Sequence, residues 1–124
     1  MPPTPEKTEA APIVPLFVPG AMVLVTLNSP REKFWGAVLE ISAAGLSLRG
    51  IDLNSFDDFA GQVKAGEPAM AGAVFFPMHR VERMELDATN GEFPSLAQRF
   101  AEKTGKSAEK FFDARRTSRG QGAR

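Results

Sequence analysis

Cysteine and tyrosine are absent from the 124-residue chain, and histidine and tryptophan occur once each, as His79 and Trp35. Without cysteine there are no disulfides, thiolate metal sites or cysteine nucleophiles, and the default compartment is a reducing cytoplasm. One imidazole and no phenol leave little for general acid–base chemistry. An excess of either charge is also lacking, because 15 Lys and Arg balance 15 Asp and Glu. A neutral chain is not a uniform footprint for nucleic acid or an anionic membrane. No apolar run is long enough to span a bilayer. Glu6 and Glu9 beside Lys7, with prolines breaking the apolar run after them, argue against a secretory signal. A chain of this length with 43% hydrophobic residues supports one small core.

Residues 1–20 hold six of the ten prolines and read as a flexible leader, in which Ile13 to Val18 form an apolar strip able to lie on the domain or catch a partner. Short apolar bursts between turn residues then predict a small antiparallel β domain over 21–88. The first burst is Met22 to Leu27, closed by Asn28-Ser29-Pro30, and the second is Phe34 to Ser42. A third burst pairs Leu46 with Leu48 but Ile51 with Leu53 in the opposite phase, which predicts a bulge or bend at Gly50, with Gly36 able to bend the second strand. Phe56, Phe59, Ala60 and Val63 recur at helical spacing behind Ser55 as cap, giving a helical insertion. Val74 to Pro77 is a fourth strand, Met78 to Val81 a tight turn, and Met84 to Leu86 a short fifth strand. Ser95 with Gln98 makes a capping box for a helix through Phe100 that Gly105 stops, and a weaker helix from Ser107 presents Phe111 and Phe112, so 89–113 is a helical appendage. Residues 114–124 have no apolar anchor and read as a disordered basic tail.

The expected class is mainly β, a five-stranded antiparallel barrel with helical appendages. Its strand order and the segment Phe34-Trp35-Gly36-Ala37-Val38 resemble the small SH3-like and Sm-like β-barrels, the latter through an aromatic-x-Gly-x-apolar pattern. That resemblance implies an RNA-associated barrel. The positions corresponding to the uridine-contacting Asp and Asn of Sm proteins are Ser42 and Leu46, and their Arg-Gly pair corresponds to Arg80-Val81. The runs Pro30 to Gly36, Arg49 to Ile51 and Phe76 to Glu82 also look like an uncharacterised family of bacterial proteins, which implies no activity.

No catalytic motif is present: no serine sits in a G-x-S-x-G context and no glycine-rich loop opens a helix after a strand. A lone His79 in a turn reads as a hydrogen-bonded structural residue, with no metal-ligand spacing around it and no cofactor implied. Trp35 shares a face with Ala37, Leu39 and Ile41 and is expected inside the barrel, which leaves Phe34 as a surface aromatic beside Arg31 and Lys33. That loop could stack a base while its cations meet phosphate. Arg115, Arg116, Arg119 and Arg124 give the tail a polyanion-binding composition. Arg80 and Arg83, interleaved with Glu82 and Glu85, read as a salt-bridged edge. Residues 1–90 carry 7 Lys and Arg against 11 Asp and Glu, and residues 91–124 carry 8 against 4, so neutrality is a cancellation. The resulting expectation is a non-catalytic, membrane-free module that associates weakly with RNA or another polyanion. The alternative is a protein–protein adaptor or self-assembling module using a barrel edge, the Phe56/Phe59 helix or the leader.

Overall fold

The computed structural model describes residues 15–113. Most of the leader and the whole basic tail lie outside the described residues. Five strands, β1 (Met22–Leu27), β2 (Glu32–Ile41), β3 (Gly45–Asp52), β4 (Gly72–Pro77) and β5 (Val81–Leu86), form one antiparallel sheet in the order β4-β3-β2-β1-β5. Helix α1 (Phe56–Lys64) lies between β3 and β4, and α2 (Leu96–Thr104) and α3 (Ala108–Phe112) come after β5. The fold is therefore mainly β with helical appendages. β4 and β5 are its two edges and share no ladder among the described residues.

The sheet is curled. Met78 N–H donates to the Ala44 carbonyl and Asn28 N–H to the Arg80 carbonyl, both at 2.9 Å, so the three-residue 3₁₀ turn Met78–Arg80 touches the connections at both ends of β2. The 10 residues of β2 laid straight would hold those connections about 30 Å apart. The two backbones approach closely where Gly36 pairs with Gly50: a Cβ on Gly36 would stand 2.2 Å from the Arg49 carbonyl oxygen, and one on Gly50 would stand 2.5 Å from that of Trp35.

Curling gives the sheet two apolar faces. On the inner face Val23, Val25, Leu27, Val38, Leu46 and Leu48 are buried, with only further strand residues and Ala21 packed on them. On the outer face Trp35 and Ala37 pack under Phe56, Phe59, Ala60, Val63, Phe100, Ala108 and Phe112 of the three helices. Three expectations are corrected by this arrangement. Trp35 lies beneath the helices, not inside the curl. Leu46 and Leu48 serve the inner core while Ile51 and Leu53 pack against the outer one, so both pairs are covered without a bulge at Gly50. The ladder is irregular instead between Val38 and Glu40, which takes Leu39 and Ile41 out of the Trp35 alternation, and opposite Thr26/Leu27, which brings Val81 onto the inner face with Met84.

The helices obey local chemistry. α1 buries the four residues of the expected stripe, but Ser55 makes no capping hydrogen bond; Asp52 caps the preceding 3₁₀ turn Leu53–Ser55 through Asn54 N–H at 2.8 Å. The Ser95/Gln98 capping box is formed, and Gly105 ends α2 in the left-handed region at φ 77°. Asp87 then joins sheet to helix. Its carboxylate accepts from the Trp35 indole at 3.0 Å and from the Leu96 and Ala97 amides at 2.8 and 2.9 Å.

Candidate functional site

The loop expected to bind nucleic acid is brought together only in part. Arg31 and Lys33 line one open groove with Glu32, Asp52, Leu53 and Asn54. Arg31 pairs with Glu82 at 3.4 Å and the neighbouring Arg80 with Glu32 at 3.0 Å, whereas Lys33 is exposed and has no ion pair among the described residues. Phe34 is not a free surface ring. It points to the inner core, half-buried, with its ring 5.0 Å from that of Phe76 in an edge-on contact. Part of its ring is therefore taken up by the core. Arg115, Arg116, Arg119 and Arg124 lie outside the described residues.

His79 sits exposed in the 3₁₀ turn, where its carbonyl accepts from Asn28 Nδ2 at 3.4 Å. Among the described residues no group of three or more His, Asp or Glu is placed to hold a metal, and no helix is long and apolar enough to cross a membrane.

The two sheet edges differ in a way that composition does not reveal. β5 carries Glu82, Arg83 and Glu85 among 6 residues, with Arg83 paired to Glu85, and its ladder to β1 is irregular. Charges and irregular pairing of this kind block unwanted strand addition. β4 reads Gly-Ala-Val-Phe-Phe-Pro, 6 residues without a charge. Only the proline at its end lacks a donor. No family model, curated protein or solved structure matches this chain. Function therefore has to be read from the edge itself.

Side chains at β4 alternate between the faces. Val74 and Phe76 pack on the inner core, whereas Ala73, Phe75 and Pro77 face outward and are exposed. Phe75 is 54% exposed and its ring lies over Gly45, where any Cβ would meet it at 2.5 Å. The ring is thus seated on the sheet yet open to a partner. Met70, 80% exposed, stands in the strand's approach. Arg49 is the cross-strand neighbour of Ala73 and lies between it and Ala37 in one row. Its Nη1 donates to the Ala71 carbonyl at 3.4 Å, its Nε is buried without a partner, and it has no carboxylate within ion-pair distance among the described residues. Sequence reasoning missed this site. The charge-free run Gly72 to Pro77 is visible in the chain, but which strand ends the sheet is set by the ladder order.

Proposed function

We propose that the chain is a non-catalytic β module that binds a partner protein by strand addition along β4, the adaptor alternative raised by its sequence. We read its curled sheet as an SH3-like or Sm-like barrel left open between β4 and β5. One observation carries the reading: of the two edges left unpaired among the described residues, the one bearing exposed Phe75 has no charge, while the other carries three charged residues. An extended peptide supplies its own backbone donors and acceptors to such an edge and gains specificity from pockets at alternate residues. Aromatic residues, methionine and arginine are the side chains enriched at such interfaces, and Phe75, Met70 and Arg49 are those residue types. Association with RNA then rests mainly on the arginines of 114–124, since in the loop at 31–34 Phe34 is packed, Arg31 faces Glu82 and only Lys33 stands without an acidic partner among the described residues.

The test is amide mapping by NMR of the full chain with an alternating Thr-Val peptide. Protection and shift changes confined to Gly72–Phe76 and its neighbours are expected. Unchanged β4 amides would reject the reading. Single-stranded RNA, titrated at several salt concentrations against the full chain and a chain ending at Asp113, distinguishes the other. A steep salt slope that flattens on truncation would favour the polyanion function instead.

A further inference from the structure

The β4 edge has a chemical preference built beside it, and the preference rests on strand addition at that edge. We propose that Arg49 is the specificity residue of this edge, taking the carboxylate of an extended acidic segment laid antiparallel along β4 with the pattern apolar-x-Asp/Glu. Three placements lead there. Arg49, Ala73 and the residue of an added strand opposite Ala73 form one cross-strand row on the outer face, with about 10 Å between the first and last backbones. The guanidinium reaches the Ala71 carbonyl just before β4 with Nη1 at 3.4 Å, and Ala73, small and exposed, leaves room beside it for a Glu or Asp side chain from the far side. Its buried Nε has no hydrogen-bond partner among the described residues. A planar carboxylate offers two oxygens to such a fork, the pairing arginine makes best.

Phe75 sets the second position. It lies two residues beyond Ala73 on the same face, so an antiparallel strand meets it two residues before the acid. The sheet is antiparallel throughout, and that pairing is the more stable per residue. A second copy of this chain fits less well. Its β4 contains no carboxylate, and the glutamates of its β5 are engaged with Arg31 and Arg83. The occupant is therefore a segment of a different protein that is apolar and acidic in alternation.

The probe is an N-acetylated, C-amidated peptide, Thr-Lys-Val-Thr-Phe-Thr-Glu-Thr-Lys, labelled for fluorescence anisotropy against the full chain, beside the same peptide with Gln in place of Glu. Binding about tenfold tighter for the Glu peptide is expected. The difference should vanish in Arg49→Gln, and Arg49→Glu should prefer the peptide with Lys at that position. A swap of preference is something a merely structural arginine would not produce. Equal affinity of both peptides, lost in Phe75→Lys, would overturn the role of Arg49 while leaving the open edge standing. No binding of either peptide, with β4 amides unmoved, would overturn both. Concentration-dependent dimerisation in light scattering, abolished by Phe75→Lys, would assign the edge to a second copy and reject the acidic peptide. The Glu/Gln comparison on the unaltered chain decides the question even if an Arg49 variant fails to fold.

Discussion

The carboxylate of Asp87 accepts the indole N–H of Trp35 at 3.0 Å across 52 residues of chain. The same group receives the first two amides of α2, and Ser95 receives the Gln98 amide at 3.0 Å. A helix leaves its first amides without internal partners. Here they are answered by a residue that is also tied to the centre of the outer core. Asp87→Ala should therefore cost about 2–4 kcal/mol, since it strands a buried indole donor and weakens the helix start together. Asp87→Asn keeps one carbonyl oxygen and should cost about half as much. Urea unfolding followed through the fluorescence of Trp35 measures both, with an unchanged slope marking an effect on stability alone.

Phe112 is the second prediction. It is fully buried, with its ring 4.7 Å from Trp35 and 5.7 Å from Phe59. Phe112→Ala should cost about 3–5 kcal/mol through lost burial and the cavity left. It should also shift Trp35 emission to the red in the folded state, because α3 is the short lid over the indole. An unshifted emission with unchanged stability would show that the last helix is dispensable.

What was legible in the chain, and what was not, depends on the range of the interaction. The stripe Phe56, Phe59, Ala60, Val63 and the Ser95/Gln98 box are contacts within a turn or two, and each appears in the structure where spacing puts it. Alternation failed on β2 and β3 for a physical reason. Each strand buries both faces, Phe34 and Val38 inward and Trp35 and Ala37 outward on β2, so hydrophobic period cannot say which face is which. An irregular pairing next to Leu39 leaves no compositional mark. Asp87 carries no local signature, because its partners Trp35, Leu96 and Ala97 are 52, 9 and 10 residues away. The uncharged edge at β4 and the placement of Arg49 beside it were hidden for one reason: both depend on β4 being last in the sheet.

Glycine substitutions should divide sharply. Gly36→Ala and Gly50→Ala each place a methyl group against backbone across the ladder, at 2.2 and 2.5 Å. Backbone cannot rotate aside like a side chain, so each should cost more than about 3 kcal/mol or prevent folding. Gly61 lies exposed in the middle of α1 with nothing within 4 Å of a new Cβ. Gly61→Ala should stabilise by about 0.5–1 kcal/mol through helix propensity. Thermal unfolding of the three variants tests the close glycine pairing and the open helix face in one series.

The two ion pairs beside the β1–β2 turn should not be equivalent, although their sequence contexts look alike. Arg31 and Glu82 hold side chains 67% and 46% exposed and meet at 3.4 Å. Such a pair contributes less than about 0.5 kcal/mol, and Arg31→Ala should leave stability almost unchanged. The Arg80 side chain is 22% exposed, reaches Glu32 at 3.0 Å and donates to the Pro30 carbonyl at 3.3 Å. It fastens the 3₁₀ turn to the β1–β2 connection. Removing it takes away a charge-assisted hydrogen bond and the packing of its stem, so Arg80→Ala should cost about 1–2 kcal/mol. A double-mutant cycle over Arg80 and Glu32, run at low and high salt, separates the two effects. Coupling that persists in high salt marks the partly sheltered pair, and coupling that disappears would make Arg80 another surface charge.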